Sequence, residues 1–281
     1  MEKRKIEDVN EQLIKLAIKL KKYLRRDKII IYILGILCYR YLSEKVQIVI
    51  DKNIDESIVS YEEVWKGAES NEKIKKSLLD TLGYIIEPKN LFSEIIQSIR
   101  EKRFEITNLG SAFSNLNTFF TDKSEWIFKD LFKELEFSID ISSKDKKSYI
   151  DIVEDILRQI SLLNVEIDAE LENSYLKVSN NLIDYFENNA KKDNEQLFTP
   201  KEISKLLINL VESNNDCDKI YDPVCGIGSL LVSDTLGKKL YGQEKNDNYN
   251  LTKMNLLLQG VEYRDFDIKL GDIFKIQDTW I

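Results

Sequence analysis

Between residues 9 and 163 the apolar side chains recur at steps of three and four, with charged residues filling the gaps. That period puts one apolar stripe on each helix and leaves no alternating segment from which a sheet could grow. Only 3 prolines and 10 glycines occur in 281 residues, so few positions can stop a helix or turn a hairpin. Val9, Leu13, Leu16, Ala17, Leu20 and Leu24 mark a first amphipathic helix. Residues 29–42 are apolar nearly all round, which predicts a helix packed on every side. Its most apolar stretch, Ile29 to Tyr39, is closed by Lys28 on one side and by Arg40 and Glu44 on the other, and is too short to span a bilayer, which takes about 20 apolar residues. Residues 51–60 read as a loop and 61–82 as a helix. Pro88 breaks the chain before a helix over 91–100, the aromatic-rich run 126–135 reads as a further helix, and 150–163 as another. Residues 1–165 are expected to form an all-helical domain.

Residues 164–190 continue the helical pattern, and the charged stretch 191–196 precedes a change of texture. Lys219-Ile-Tyr-Asp222 is strand-like and runs into a glycine-bearing turn, with a short helix expected from Ser229. A second strand over 239–243 leads to a helix over 249–259, and a third over 266–270 ends at Gly271-Asp272. Strands alternating with helices predict a parallel, doubly wound sheet over residues 166–281. The expected fold class is α plus α/β.

The absence of histidine excludes Ser-His-Asp and Cys-His nucleophilic machinery and the usual zinc sites. Cys38, Cys217 and Cys225 form no CxxC, so neither a metal site nor a disulfide framework is expected, and a reducing cytoplasm suits the chain. The charged start MEKRKIEDVNEQ lacks the apolar core of a signal peptide. The net charge of −8 is unevenly spread: residues 1–52 carry 13 Lys and Arg against 7 Asp and Glu, which leaves −14 on the remainder. A basic amino-terminal arm on an acidic body suits a subunit that shares nucleic acid with a partner; a solvated helix face explains the same lysines.

The stretch from Asp222 to Ser229, DPVCGIGS, sits where a strand ends. Its glycines allow the backbone to approach a ligand, and a helix amino terminus there would offer N–H donors. Asp222 is placed at the carboxyl edge of the sheet, where open α/β folds bind ligands. Glu244 closes the next strand, the place of an acid that grips ribose hydroxyls, and Asp272 closes the third. Three acids at three neighbouring strand tips predict one crevice for a nucleotide-like cofactor. The plainer alternative is that Gly226 and Gly228 make a tight turn and Glu244 caps a helix. A dinucleotide site would need a third glycine, where Leu231 stands.

These residues, with Phe198-Thr199-Pro200 before them and Tyr241-Gly-Gln-Glu244 and Met254-Asn-Leu-Leu-Leu after them, resemble the S-adenosylmethionine-binding half of amino-methylating DNA methyltransferases. The modification subunit of type I restriction–modification systems is the nearest likeness. The run from Tyr32 to Lys45, and Ile106-Thr-Asn-Leu-Gly-Ser followed by Trp126, resemble that subunit's helical amino-terminal domain. The resemblance implies a helical domain followed by part of a Rossmann-like methyltransferase sheet. It implies that Phe198, Thr199 and Pro200 fold over the methionine end of S-adenosylmethionine. Asp222, Pro223, Cys225, Gly226, Gly228 and Ser229 would hold that end from below, Glu244 the ribose and Asp272 the adenine. The partners it implies are DNA, a DNA-specificity subunit and a restriction subunit.

The family's Asn/Asp-Pro-Pro-aromatic loop, which positions the target adenine amine, has no counterpart, because no two prolines are adjacent here. No catalytic residue is therefore expected, and the chain reads as cut after the third strand and inactive alone; a non-catalytic, partner-binding scaffold is the alternative. Cys225 is expected to pack rather than attack. The edge of the strand at Lys219–Asp222 is expected to lie open, which invites self-association or cover by the helices.

Overall fold

The apolar run at residues 29–42 lies within a 28-residue helix, α2 (Arg26–Asn53), and is buried on every side as its composition demands. In this computed structural model, residues 6–54, 59–122, 124–135, 143–163, 171–190, 199–212, 218–233, 237–246 and 248–274 are described. They divide into two units, Met1–Ser174 and Tyr175–Ile281.

In the first unit, α1 (Ile6–Leu20) lays Val9, Leu13, Leu16, Ala17 and Leu20 against α8 (Ser143–Ser161). The helix expected over 61–82 is instead two, α3 (Tyr61–Lys66) and α4 (Ala68–Leu82), divided at an extended Gly67. A Ser60–Glu63 capping box starts α3, and its last carbonyls are taken by side chains: Ser70 Oγ donates to Val64 O at 3.0 Å and Asn71 Nδ2 to Trp65 O. With those acceptors satisfied, nothing draws the helix past Gly67. The helix α2 runs to Asn53, into the loop expected from residue 51. After α5 (Phe92–Arg100) and α6 (Ile106–Asn115), the aromatic run 126–135 also departs from expectation. Only α7 (Glu125–Phe128) is helical, and turns follow, with Asp130 left-handed at φ 56°. Asn117 fixes that residue by accepting the Asp130 N–H at 2.8 Å. Phe128 meets the Tyr84 ring at 4.5 Å, and Phe132 stacks on Phe113 at 4.8 Å, so the aromatic groups reach the core without a helix.

Several polar groups in this core are partnered, although the Asn10 amide is buried without a partner among the described residues. Tyr39 donates to Asn90 O at 2.8 Å and Tyr84 to Leu42 O at 2.9 Å. Arg40, 6% exposed, donates to Glu44 Oε1 at 2.6 Å, to Leu163 O at 3.2 Å and to Ile160 O. One guanidinium on α2 thus caps the carboxyl end of α8.

The second unit holds most of α9 (Leu171–Ala190), then α10 (Lys201–Glu212), β1 (Lys219–Asp222), β2 (Lys239–Glu244), α11 (Asn248–Leu258) and β3 (Phe266–Leu270). The strands are parallel in the order β1-β2-β3. Both crossovers step the same way, so right-handed connections lie on one face of the sheet. That face carries buried Ile220, Leu240, Phe266 and Ile268 under α11, whose residues 250–258 are all buried. The opposite face carries half-buried Tyr221, Tyr241 and Asp267. The short helix expected from Ser229 is not regular: residues 226–232 form turns, closed by Val232 N to Gly228 O and Ser233 N to Leu230 O, both 3.0 Å. Among the described residues β1 pairs only with β2, leaving its other edge unpaired, and no helix is long and apolar enough to cross a membrane.

Candidate functional site

The sheet register fixes how the three strand-end acids stand. Asp222 is level with Gly242; Glu244 lies two residues beyond Gly242 and level with Leu270; Asp272 lies two residues beyond Leu270. Steps of two along a strand keep side chains on one face, so Asp222 and Glu244 share a face, offset by about 7 Å along the strands and ~4.8 Å across them, while Asp272 follows the end of β3. Each carboxylate accepts the N–H two residues on: Val224 N to Asp222 at 3.0 Å, Asn246 N to Glu244 at 2.9 Å and Phe274 N to Asp272 at 3.1 Å. Asx-type turns of this kind hold one carboxylate oxygen and leave the other able to accept a further donor. For Glu244 that second oxygen accepts Gly226 N at 3.1 Å, which ties the end of β2 to the glycine turn. The tight turn and the local capping role of Glu244 are thus both present, and they are the means by which the site is held.

The turn needs its glycines. Gly226 and Gly228 have φ of 58° and 81°, a region that side chains disfavour. A Cβ on Gly228 would stand 2.9 Å from Thr252 Cγ2, on a buried helix with little room to yield.

Burial holds the Asp222 carboxyl above the ordinary range despite its bond from Val224, and the nearby charge of Glu244 adds to the shift. Among the described residues no lysine or arginine pairs with Asp222, Glu244 or Asp272. Carboxylates only accept hydrogen bonds, so an unneutralised pair suits a ligand rich in donors and positive charge, such as an ammonium beside sugar hydroxyls, and rejects a phosphate. S-adenosylmethionine, with its α-ammonium, sulfonium and ribose hydroxyls, fits that donor set; a dinucleotide pyrophosphate does not. No group of three or more ligating side chains is placed to hold a metal among the described residues.

A stability test follows from the Asp222 shift. An acid bound more tightly to its proton in the folded state than in the unfolded one destabilises the fold once pH rises through the folded value. Asp222→Asn is therefore expected to raise the thermal midpoint at pH 7, with the gain fading as pH falls toward the ordinary Asp range, about 4. The same variant should bind a cationic ligand more weakly. A midpoint unchanged or lowered at pH 7 would show that the carboxylate is not a held strain.

Cys225 is 5% exposed, with Sγ 3.8 Å from Thr252 Oγ1, and burial foremost, then the charge of Asp222, pushes its thiol up to about 12. It is a packing residue whose backbone N–H binds Gln243 O at 2.9 Å. Pro223 and Ser229 are half-buried, and the Ser229 carbonyl accepts Ser233 Oγ at 2.7 Å. Thr199 and Pro200 lead into α10, with Pro200 O accepting Ser204 N at 2.9 Å, and no hydrogen bond among the described residues ties them to the acids. Phe198 lies outside the described residues. Sequence reasoning missed Thr252 and Asn255, which bind the Gly226 and Ile227 carbonyls at 2.5 and 2.9 Å. Their signal was a set of polar residues, Asn250, Thr252, Lys253 and Asn255, in a helix whose leucines mark it for burial.

Residues 9–156 match the family profile described as the HsdM N-terminal domain, and residues 177–280 that described as N-6 DNA methylase. The type I restriction enzyme MpnII methylase subunit of Mycoplasma pneumoniae is 30% identical over 97% of this chain and 54% of its own length. The MjaVII methylase subunit of Methanocaldococcus jannaschii is 28% identical over 68% of this chain and 32% of its own. A type I restriction-modification system methyltransferase subunit from Streptococcus thermophilus shares the fold, with a TM-score of 0.78 at 20% identity over 99% of this chain and 61% of that one. The chain spans about half the length of the Mycoplasma relative.

Proposed function

The chain belongs to the methylase-subunit family of type I restriction–modification systems, and from that membership we propose that its second unit binds S-adenosylmethionine at the ends of β1, β2 and β3. In this reading Asp222 and the turn through Gly226 and Gly228 take the methionine end, Glu244 the ribose hydroxyls and Asp272 the adenine amine. Pro223, Cys225 and Ser229 shape the floor, and Phe198, Thr199 and Pro200 form the loop that folds over the ligand. What carries the reading is the unneutralised Asp222–Glu244 pair on one sheet face. When bound, the cofactor supplies an electrophilic methyl group; Asp222, Glu244 and Asp272 bind and orient it.

The methyl acceptor is the exocyclic amine of adenine in DNA. The prolines of the chain are Pro88, Pro200 and Pro223, so the Pro-Pro loop that would grip that amine is not within these residues. The chain by itself is therefore proposed to hold the cofactor without transferring its methyl group. Its partners in this reading are DNA, a DNA-specificity subunit and a restriction subunit, with the basic residues of 1–52 supporting a surface shared with nucleic acid. The unpaired edge of β1 supports self-association as well. The proline count also favours a second reading, a partner-binding scaffold without a working pocket.

Calorimetric titration with S-adenosylmethionine, alongside a DNA adenine-methylation assay, separates these. Saturable binding without methylation is expected. No heat at millimolar cofactor would leave only the scaffold, and methylation by the chain alone would refute the account of the loop.

A further inference from the structure

The turn through Gly226 and Gly228 is held from beneath by two uncharged side chains of α11. Thr252, fully buried, directs its hydroxyl to Gly226 O at 2.5 Å rather than to Asn248 O of its own helix at 3.3 Å. Asn255, 1% exposed, donates Nδ2 to Ile227 O at 2.9 Å. Gln259 Nε2 lies 3.4 Å from Asn255 Oδ1 and donates to Asn180 Oδ1 on α9 at 2.9 Å. The chain of contacts therefore runs from α9 through Gln259 and Asn255 to the turn.

Each peptide between the two left-handed glycines has a glycine on one side, so only the Ile227 Cβ restricts its rotation. The carbonyl partner then decides the orientation. In a trans peptide the C=O and the following N–H point opposite ways. With Gly226 O turned to α11, the Ile227 N–H points away from that helix, and no group among the described residues accepts it. A buried threonine or asparagine among apolar neighbours is costly unless hydrogen-bonded, so these two are not interchangeable with the leucines beside them.

We propose that Thr252 and Asn255 are positioning residues: they lock the peptide orientation of the glycine turn, and Gln259 with Asn180 orients Asn255, so that α9 and α11 set the fit of the cofactor site. This rests on the S-adenosylmethionine reading above. Thr252→Val keeps the volume and the methyl group but removes the donor; Thr252→Ser keeps the donor.

The test is amide exchange of residues 226–229 in the cofactor-free full chain, followed by S-adenosylmethionine titration. In Thr252→Val, exchange at the turn should speed up about tenfold and Kd rise about tenfold, the size expected for one lost buried hydrogen bond. Thr252→Ser should restore both to within about twofold. Gln259→Met, which touches neither the turn nor the acids, should speed exchange at the turn in the same direction by a smaller factor. Unchanged exchange in Thr252→Val, or failure of the serine to restore it, overturns the proposal. If exchange responds as stated while the unsubstituted chain binds no cofactor, the positioning role stands and the cofactor assignment falls.

Discussion

Glu244→Ala is expected to abolish measurable S-adenosylmethionine binding, a loss of at least about a hundredfold. Two contributions add. The ribose hydroxyls lose charge-assisted hydrogen bonds worth about 1.5–3 kcal/mol each, and about 1.4 kcal/mol is a factor of ten. The alanine also releases Gly226 N and Asn246 N, which the two carboxylate oxygens hold at 3.1 and 2.9 Å, so the turn loses its tie to β2. Glu244→Gln keeps the shape and one acceptor and should weaken binding about tenfold. Equal affinities of Glu244→Ala and the unsubstituted chain in calorimetry would remove this residue from the site.

The largest effect on stability is expected at Arg40. Its guanidinium serves Glu44, Ile160 O and Leu163 O from a 6%-exposed position, so Arg40→Leu withdraws one donor group from a carboxylate and two carbonyls. Removing one partner of a buried ionic and hydrogen-bonded cluster costs about 3–5 kcal/mol. Urea denaturation followed by tryptophan fluorescence, with Trp65 in the same unit, should show that loss. Arg40→Lys should recover little of it, since an ammonium is a point charge and cannot reach three acceptors as a planar fork does. A loss below about 1 kcal/mol would mean the carbonyls of α8 find other donors.

Much of this was legible in the sequence because it rests on pattern. The uninterrupted apolar run of α2, the strand at Lys219–Asp222 and the strand at Phe266–Leu270 follow from period and from the turn residues that bound them. The placement of Asp222 and Glu244 on one face follows as well, since a register that steps by two preserves the side.

Long-range partners decided the rest. The division at Gly67 depends on Ser70 and Asn71 folding back onto carbonyls of α3, and the left-handed Asp130 depends on Asn117, thirteen residues away. Propensity alone reads both regions as continuous helix. The turns after Gly226 replace the expected helix because the carbonyls of Gly226 and Ile227 are drawn to Thr252 and Asn255, partners that no local pattern announces. The consequence is functional. The free donors at this strand end, the Ile227 N–H among them, belong to a braced turn rather than to the start of a regular helix.

The account stands or falls on where the cofactor lies. Titrating the 15N-labelled chain with S-adenosylhomocysteine and mapping amide shifts should place the largest changes at residues 222–229, 244–246 and 272–274. Shifts gathered instead around Lys205, Asn209, Gln259 and Glu262, which line a cleft at the opposite, amino-terminal ends of β2 and β3, would contradict it.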